Sequence, residues 1–255
     1  MDRSYLSDIK VVEASRKFVC IRPISYEDEA ENKFLKSFGA GRSGDVENTV
    51  FCILSPDGSQ RLIRPSRTAK QIFADASAMA DAMNRFAEKY PAKAGGTAPL
   101  PFTQDLRLAV NVAACDHLPL VVVQNVGVEI ENALAKLAWS EPFMGKCLFV
   151  RSDSKQAAIL AEGVEPSSKV MVLQPDQFGL KARVLFQTGD VSNVGVLSEL
   201  QKGIESGVWP EIDFWNHVRK GHQQGVFWNT KLPVTDKEEL SARERAKKNF
   251  SPKSN

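Results

Sequence analysis

The clearest periodicity in the chain lies over residues 69–90, where Ile72, Phe73, Ala76, Met79, Ala80, Met83, Phe86 and Ala87 recur at i, i+3, i+4 and i+7. That spacing predicts one amphipathic helix, stopped by Pro91. A second helix is predicted over 27–38, with Ala30, Phe34, Leu35 and Phe38 on one face and the glycine-rich GAGRSG after it. An N-terminal helix over 6–17 opens at the cap signal Ser7/Asp8. Short apolar runs between these helices read as strands: residues 18–21 and 49–54, the latter ending at Pro56-Asp57-Gly58. Proline presets φ and glycine accepts a positive one, so residues 61–64 return antiparallel.

Residues 92–101 (AKAGGTAPLP) are small, aperiodic and rich in Gly and Pro, the composition of a linker. Beyond them a helix is predicted over 105–115. LVVV at 120–123 reads as a strand buried on both faces, hence central and parallel. A helix over 129–139 follows, then a strand at 147–150, a short helix at 155–161 and a strand at 170–173. The run Pro175-Asp176-Gln177-Phe178-Gly179 turns that strand back into 182–186. A closing helix carries Val196, Leu197, Leu200 and Ile204, capped by Asp190 or Ser192.

The two halves share a pattern. TVFCILSPDGSQRLI and VMVLQPDQFGLKARVL each run as strand, Pro-Asp turn, strand and then helix. With two copies, each long enough for its own core, the pattern points to duplicated domains. The order strand, helix, strand, helix, strand, strand, helix over about 105–207 resembles the thioredoxin fold, and FVCIRP, ENTVFCILSPDG and the long helix of the first half are similar to it. The expected fold class is therefore α/β: two tandem thioredoxin-like domains, each a mixed central sheet flanked by helices. The expected organisation is an incomplete domain over 1–91, a linker over 92–101, a thioredoxin-like domain over 102–207, an aromatic-rich extension over 208–236 and a charged tail over 237–255, a solvated helix fraying into disorder.

The resemblance implies a Cys-x-x-C where the first strand meets the first helix, because a helix N-terminus stabilises a thiolate. The second half has Gln124-Asn125-Val126-Gly127-Val128-Glu129 there, with no cysteine. The resemblance also implies a cis-proline before the third strand. Asn48-Thr49 stand at that place in the first half, and in the second Pro166 lies four residues before Val170. The first half begins about where its first helix would, so its first strand is missing. Unpaired neighbours of that strand would cost on the order of 1–3 kcal/mol per buried group. The ways to fill the gap are strand donation from another copy, residues 226–234 of the same chain, direct pairing of the 18–21 and 49–54 strands, or a longer natural N-terminus. One of the first two is expected, with a longer natural N-terminus as the equal alternative.

Charge narrows the function classes. The chain has 33 basic and 31 acidic residues in 255, a formal net charge of +2, and they are interspersed rather than gathered into a nucleic-acid footprint. No apolar run has the length of a membrane span, and MDRSYLSDIK lacks the apolar core of a secretory signal, so a cytoplasmic location is expected. Cys20, Cys52, Cys115 and Cys147 stand far apart, with no C-x-x-C and no zinc spacing. His217 and His222 lack neighbouring ligands, so no metal and no cofactor is expected. Gly39-Ala40-Gly41-Arg42-Ser43-Gly44 spells G-x-G-x-x-G but follows a helix and precedes a strand, the reverse of a dinucleotide site.

Two groups of candidates remain. Cys20 and Cys52 would lie on strands that become neighbours if nothing fills the gap, and they are the only catalytic candidates. Trp209, Phe214, Trp215, Phe227 and Trp228 crowd into some thirty residues; they are expected to pack on the second domain or to meet a protein partner. The functional expectation is a non-catalytic, self-associating protein-binding or structural module. The alternative is an atypical thiol oxidoreductase or peroxidase using lone cysteines.

Overall fold

The computed structural model of the protein describes residues 3–39, 50–91, 98–103, 105–141, 143–191, 195–227, 229–235 and 237–250. They divide into two units: Met1–Ala94 with Phe227–Asn255, and Gly95–Val226.

In the first unit, helices α1 (Arg3–Leu6), α2 (Ile9–Ser15), α3 (Glu29–Gly39) and α4 (Ala76–Lys89) accompany a hairpin. The Asp8 carboxylate caps α2 by accepting from Lys10 N, and Asp75 caps α4 by accepting from Ala78 N at 2.8 Å. That second cap explains a departure from the predicted helix over 69–90. Ala69–Gln71 is a separate 3-10 turn, and the helix restarts after Asp75. Met79, Ala80 and Met83 of α4 form one core with Tyr5, Val11, Ala14 and Ile53. The Tyr5 hydroxyl donates to the Phe73 carbonyl at 2.9 Å, tying α1 to the segment before α4.

The hairpin is closed by two antiparallel bridges, Phe51 with Ser66 and Leu54 with Arg61. Its turn forms at Pro56-Asp57-Gly58, as the residues require: Gly58 has φ +72 and its N–H donates to Ser55 O at 2.8 Å. The sheet expected in this half is reduced to those bridges among the described residues. Residues 18–21 form no strand, and neither do the described residues of 226–234. Leu232 N donates to Tyr26 O at 2.8 Å, a single backbone contact where a donated strand was expected. Among the described residues, both halves share the local hairpin and a helix after it. The hairpin's apolar-turn-apolar pattern is short-range and carries no information about the long-range pairing of a domain. Asn48-Thr49 and the G-x-G-x-x-G after Gly39 lie outside the described residues.

The second unit is an α/β structure built on a mixed six-stranded sheet. In chain order it comprises β1 (Phe102–Thr103), α5 (Leu106–Asp116), β2 (Leu120–Val123), α6 (Val128–Ala138), β3 (Leu148–Arg151), α7 (Ser154–Leu160), β4 (Ala161–Glu162), β5 (Val170–Pro175), β6 (Ala182–Thr188), α8 (Gly195–Glu205) and α9 (Phe214–Gln223). The strand order is β1-β3-β2-β5-β6-β4. β2 is central and fully buried, but only one of its neighbours is parallel: β3 runs with it and β5 against it. Burial on both faces fixes a central position and says nothing of direction, since helices cover the sheet either way.

Side chains alternate across this sheet with period two. Val121, Val123, Phe149, Val170 and Val172 face α6 and α8 through Leu134, Leu200 and Ile204. Leu120, Val122, Val150, Met171 and Leu173 face α5 and α7 through Val110, Ala113 and Ala157. Each such aliphatic side chain, fully buried, contributes about 1.5–3 kcal/mol. Gly203 lets α8 approach: a Cβ there would come 2.7 Å from Phe186 Cβ. At the sheet edge β4 pairs with β6 only at Ala182 and Arg183. Farther along β6, the Gln187 amide donates to Gly163 O at 2.8 Å and accepts from Glu165 N at 2.9 Å.

The charged tail, expected as a solvated helix fraying into disorder, is helical over Lys237–Phe250 (α10), and residues 251–255 lie outside the described ones. No described helix is long and apolar enough to cross a membrane.

Candidate functional site

The loop that joins β2 to α6 is where the resemblance implies redox chemistry. Gln124, Asn125, Val126 and Gly127 occupy it, with Asn125 in a left-handed conformation (φ 43). The loop is tied down by amides: Gln124 N donates to Lys169 O at 2.7 Å, and Gln124 Oε1 accepts from Ser154 N. Ser154, itself buried, donates to Pro166 O at 2.8 Å, and no cis peptide bond occurs among the described residues. Glu129 and Glu131 already supply negative charge to the first turn of α6, and Glu131 pairs with Arg151 at 2.9 Å. Gly127 stands at the N-cap of α6, with no side-chain cap and no thiol.

The cysteines stand elsewhere. Cys20 is exposed in a segment without strand structure, against the expectation of a neighbouring strand position. Cys52 is half-buried in the hairpin, its thiol donating to Ile63 O at 3.4 Å. Burial pushes its pKa up, with Arg61 acting in the opposite sense. Cys147 is buried in the core between the sheet and α6, and desolvation pushes its thiol up to about 12. Cys115 is exposed on α5. No group of three His, Cys, Asp or Glu side chains suited to a metal ion occurs among the described residues.

The aromatic segment divides into anchored and exposed parts. Trp209 stacks on His117, ring centroids 5.6 Å apart and planes at 16°. His117 closes α5 in a left-handed conformation (φ 54), with Leu118 N donating to Ala113 O at 2.9 Å. α9 is capped by Asp213, which accepts from Asn216 N at 2.8 Å. It packs through His217, stacked on Phe178 at 4.8 Å, and through Gly221, where a Cβ would meet the Phe178 ring at 3.3 Å. At the start of the same helix Phe214 and Trp215 meet edge to face at 5.1 Å, yet are 64% and 75% exposed. Phe227 belongs to the other unit and is exposed at its surface; Trp228 lies outside the described residues. The aromatic density of the sequence marks this segment but not the helix α9 within it, and the way its residues split between anchor and surface depends on helical phase.

Beside Trp209 a cavity of about 330 Å³ opens between residues 208–212, the β5–β6 turn and the end of α5. Sequence reasoning passed over its central residue, Gln174. This side chain is buried and faces Arg183 across the β5–β6 pairing. Its Nε2 donates to Val208 O, while its Oε1 accepts from Val208 N at 3.3 Å and from Arg183 Nη2 at 2.8 Å. A glutamine in an otherwise apolar strand, VMVLQP, was the available signal. The Asp176 carboxylate is consumed by its own turn, accepting from Phe178 N and Leu180 N at 3.0 Å and from Lys181 N at 3.1 Å. Arg107 fastens that turn to α5 by donating to Gly179 O and to Leu180 O at 2.9 Å.

Comparison with protein-family models, curated proteins and solved structures gives no match for this chain.

Proposed function

We propose that the chain is a thioredoxin-like protein without dithiol chemistry, and that it works by binding protein, in the first instance another copy of itself. The observation that carries the reading is the Phe214–Trp215 pair, two large rings set side by side and exposed on a helix that is otherwise capped and anchored. Rigid aromatic area of this kind supplies contact energy at low entropic cost. The strand order around β2, parallel on the β3 side and antiparallel through β5 and β6, supports a thioredoxin-like ancestry for the second unit. The amide-filled β2–α6 loop supports the loss of redox function. Thiol chemistry is the rival reading, and the raised Cys52 and Cys147 pKa values weigh against it.

Sedimentation velocity across a concentration series tests the proposal. The native protein is expected to show a concentration-dependent dimer, and the double variant Phe214→Ser/Trp215→Ser to remain monomeric with an unchanged circular dichroism spectrum. A native protein that stays monomeric throughout, or one that reduces insulin or peroxide with turnover, overturns the reading.

A further inference from the structure

The geometry points to a binding site for a small aryl carboxylate in the cavity beside Trp209. At about 330 Å³ it lies at the lower end of the range of about 300–1,000 Å³ usual for small-ligand pockets, and it is lined mainly by apolar surface. Trp209 and His117, stacked on each other, both line the cavity and give it planar aromatic surface. Ile212 and Pro175 supply further apolar lining.

The polar groups are unequal in what they have left to give. Asp176 lines the cavity; backbone N–H groups of its turn hold both of its oxygens but leave its negative charge, against which Lys181 and Arg183 set two positive ones. Lys181 is drawn aside, its ammonium donating to Ile159 O at 2.9 Å. Arg183 is different. Its Nε and Nη2 rest on the neutral amide of Gln174 at 3.3 and 2.8 Å, which orients the guanidinium without neutralising it, and it forms no ion pair among the described residues. A preoriented cation beside planar aromatic surface is complementary to a planar ring bearing a carboxylate. Neither Phe214 nor Trp215 lines the cavity, and ligand binding and self-association are read by different measurements, so either can fail without the other.

The test uses the full-length protein, with 1-naphthoate as probe and neutral 1-naphthalenemethanol as control, followed by calorimetry and by quenching of tryptophan fluorescence. Saturable binding of one naphthoate per chain with a Kd below about 1 mM is expected. The neutral control and Arg183→Gln are each expected to bind roughly tenfold more weakly, the loss of one charge-assisted contact. Because Arg183 also supports Gln174, a second variant is needed: Pro210→Trp, at an exposed lining position, fills the mouth and is expected to abolish binding while the thermal melt stays native. Absence of saturable naphthoate binding overturns the proposal. So does equal affinity for the neutral control, or unchanged affinity in Pro210→Trp.

Discussion

Gln174 grips Val208 by both of its backbone groups, giving through Nε2 to the carbonyl and taking through Oε1 from the N–H, as a neighbouring strand would. One side chain thereby stands in for a strand pair and holds residues 208–212 across the end of the sheet. Gln174→Leu leaves Arg183 and the Val208 backbone without these partners, and is expected to cost about 1–3 kcal/mol in urea denaturation. Trp209 emission should shift to the red as it leaves His117. Gln174→Glu keeps the acceptor for Val208 N and should recover part of the loss.

Gly163 and Gly179 both have positive φ, +81 and +63, but differ in surroundings. Nothing lies within 4 Å of a Cβ at Gly163, whereas one at Gly179 would meet Asn111 Cα at 2.9 Å. Gly163→Ala is expected to cost about 1–2 kcal/mol, for the left-handed backbone alone. Gly179→Ala should cost a further 1–3 kcal/mol or so, because α5 backbone has to move. Paired denaturation curves read the difference.

The thiols should separate by reactivity. With a colorimetric disulfide reagent at pH 8, exposed Cys20 is expected to react fast and buried Cys147 only on unfolding. Cys147 is held at about 12 against an ordinary 9.0. Between those values the folded chain keeps a proton that the unfolded chain has lost, so stability falls as pH rises through that window. Cys147→Val should lack that component of the alkaline decline.

Asp57 behaves in the opposite sense. Hydrogen bonds from the Ser55 hydroxyl, then from the Ser59 hydroxyl and N–H, lower its carboxyl from 3.8 to about 2. The contribution of this ionised group is therefore present above about pH 4 and lost as pH falls through about 2. Acid unfolding followed by circular dichroism should show this component in the native protein and not in Asp57→Asn.

The second unit was largely legible in the sequence. LVVV at 120–123, the helix carrying Leu134 and Leu137 and the turn at Pro175-Asp176 all formed close to their expected positions, because each rests on local periodicity and turn chemistry. The first unit was not. Its hairpin is equally local and forms as expected, but residues 18–21, apolar enough for a strand, pair with none of the described residues. Cys20 is consequently exposed. In the candidate site, the sequence marks Gln174 only as a polar residue in an apolar strand, and its role is hidden because its partner Val208 lies 34 residues away. The charge left on Arg183 depends likewise on which donors and acceptors the fold has already used.

The edges of the sheet limit how copies of this protein can meet. β1 and β4 are each two residues long, and beyond β4 the amide of Gln187 occupies Gly163 and Glu165 with its own hydrogen bonds. Each edge strand thus offers a strand from another molecule only two residues of backbone on which to template. Contacts between native copies are left to side-chain faces, which sequence change can tune one residue at a time.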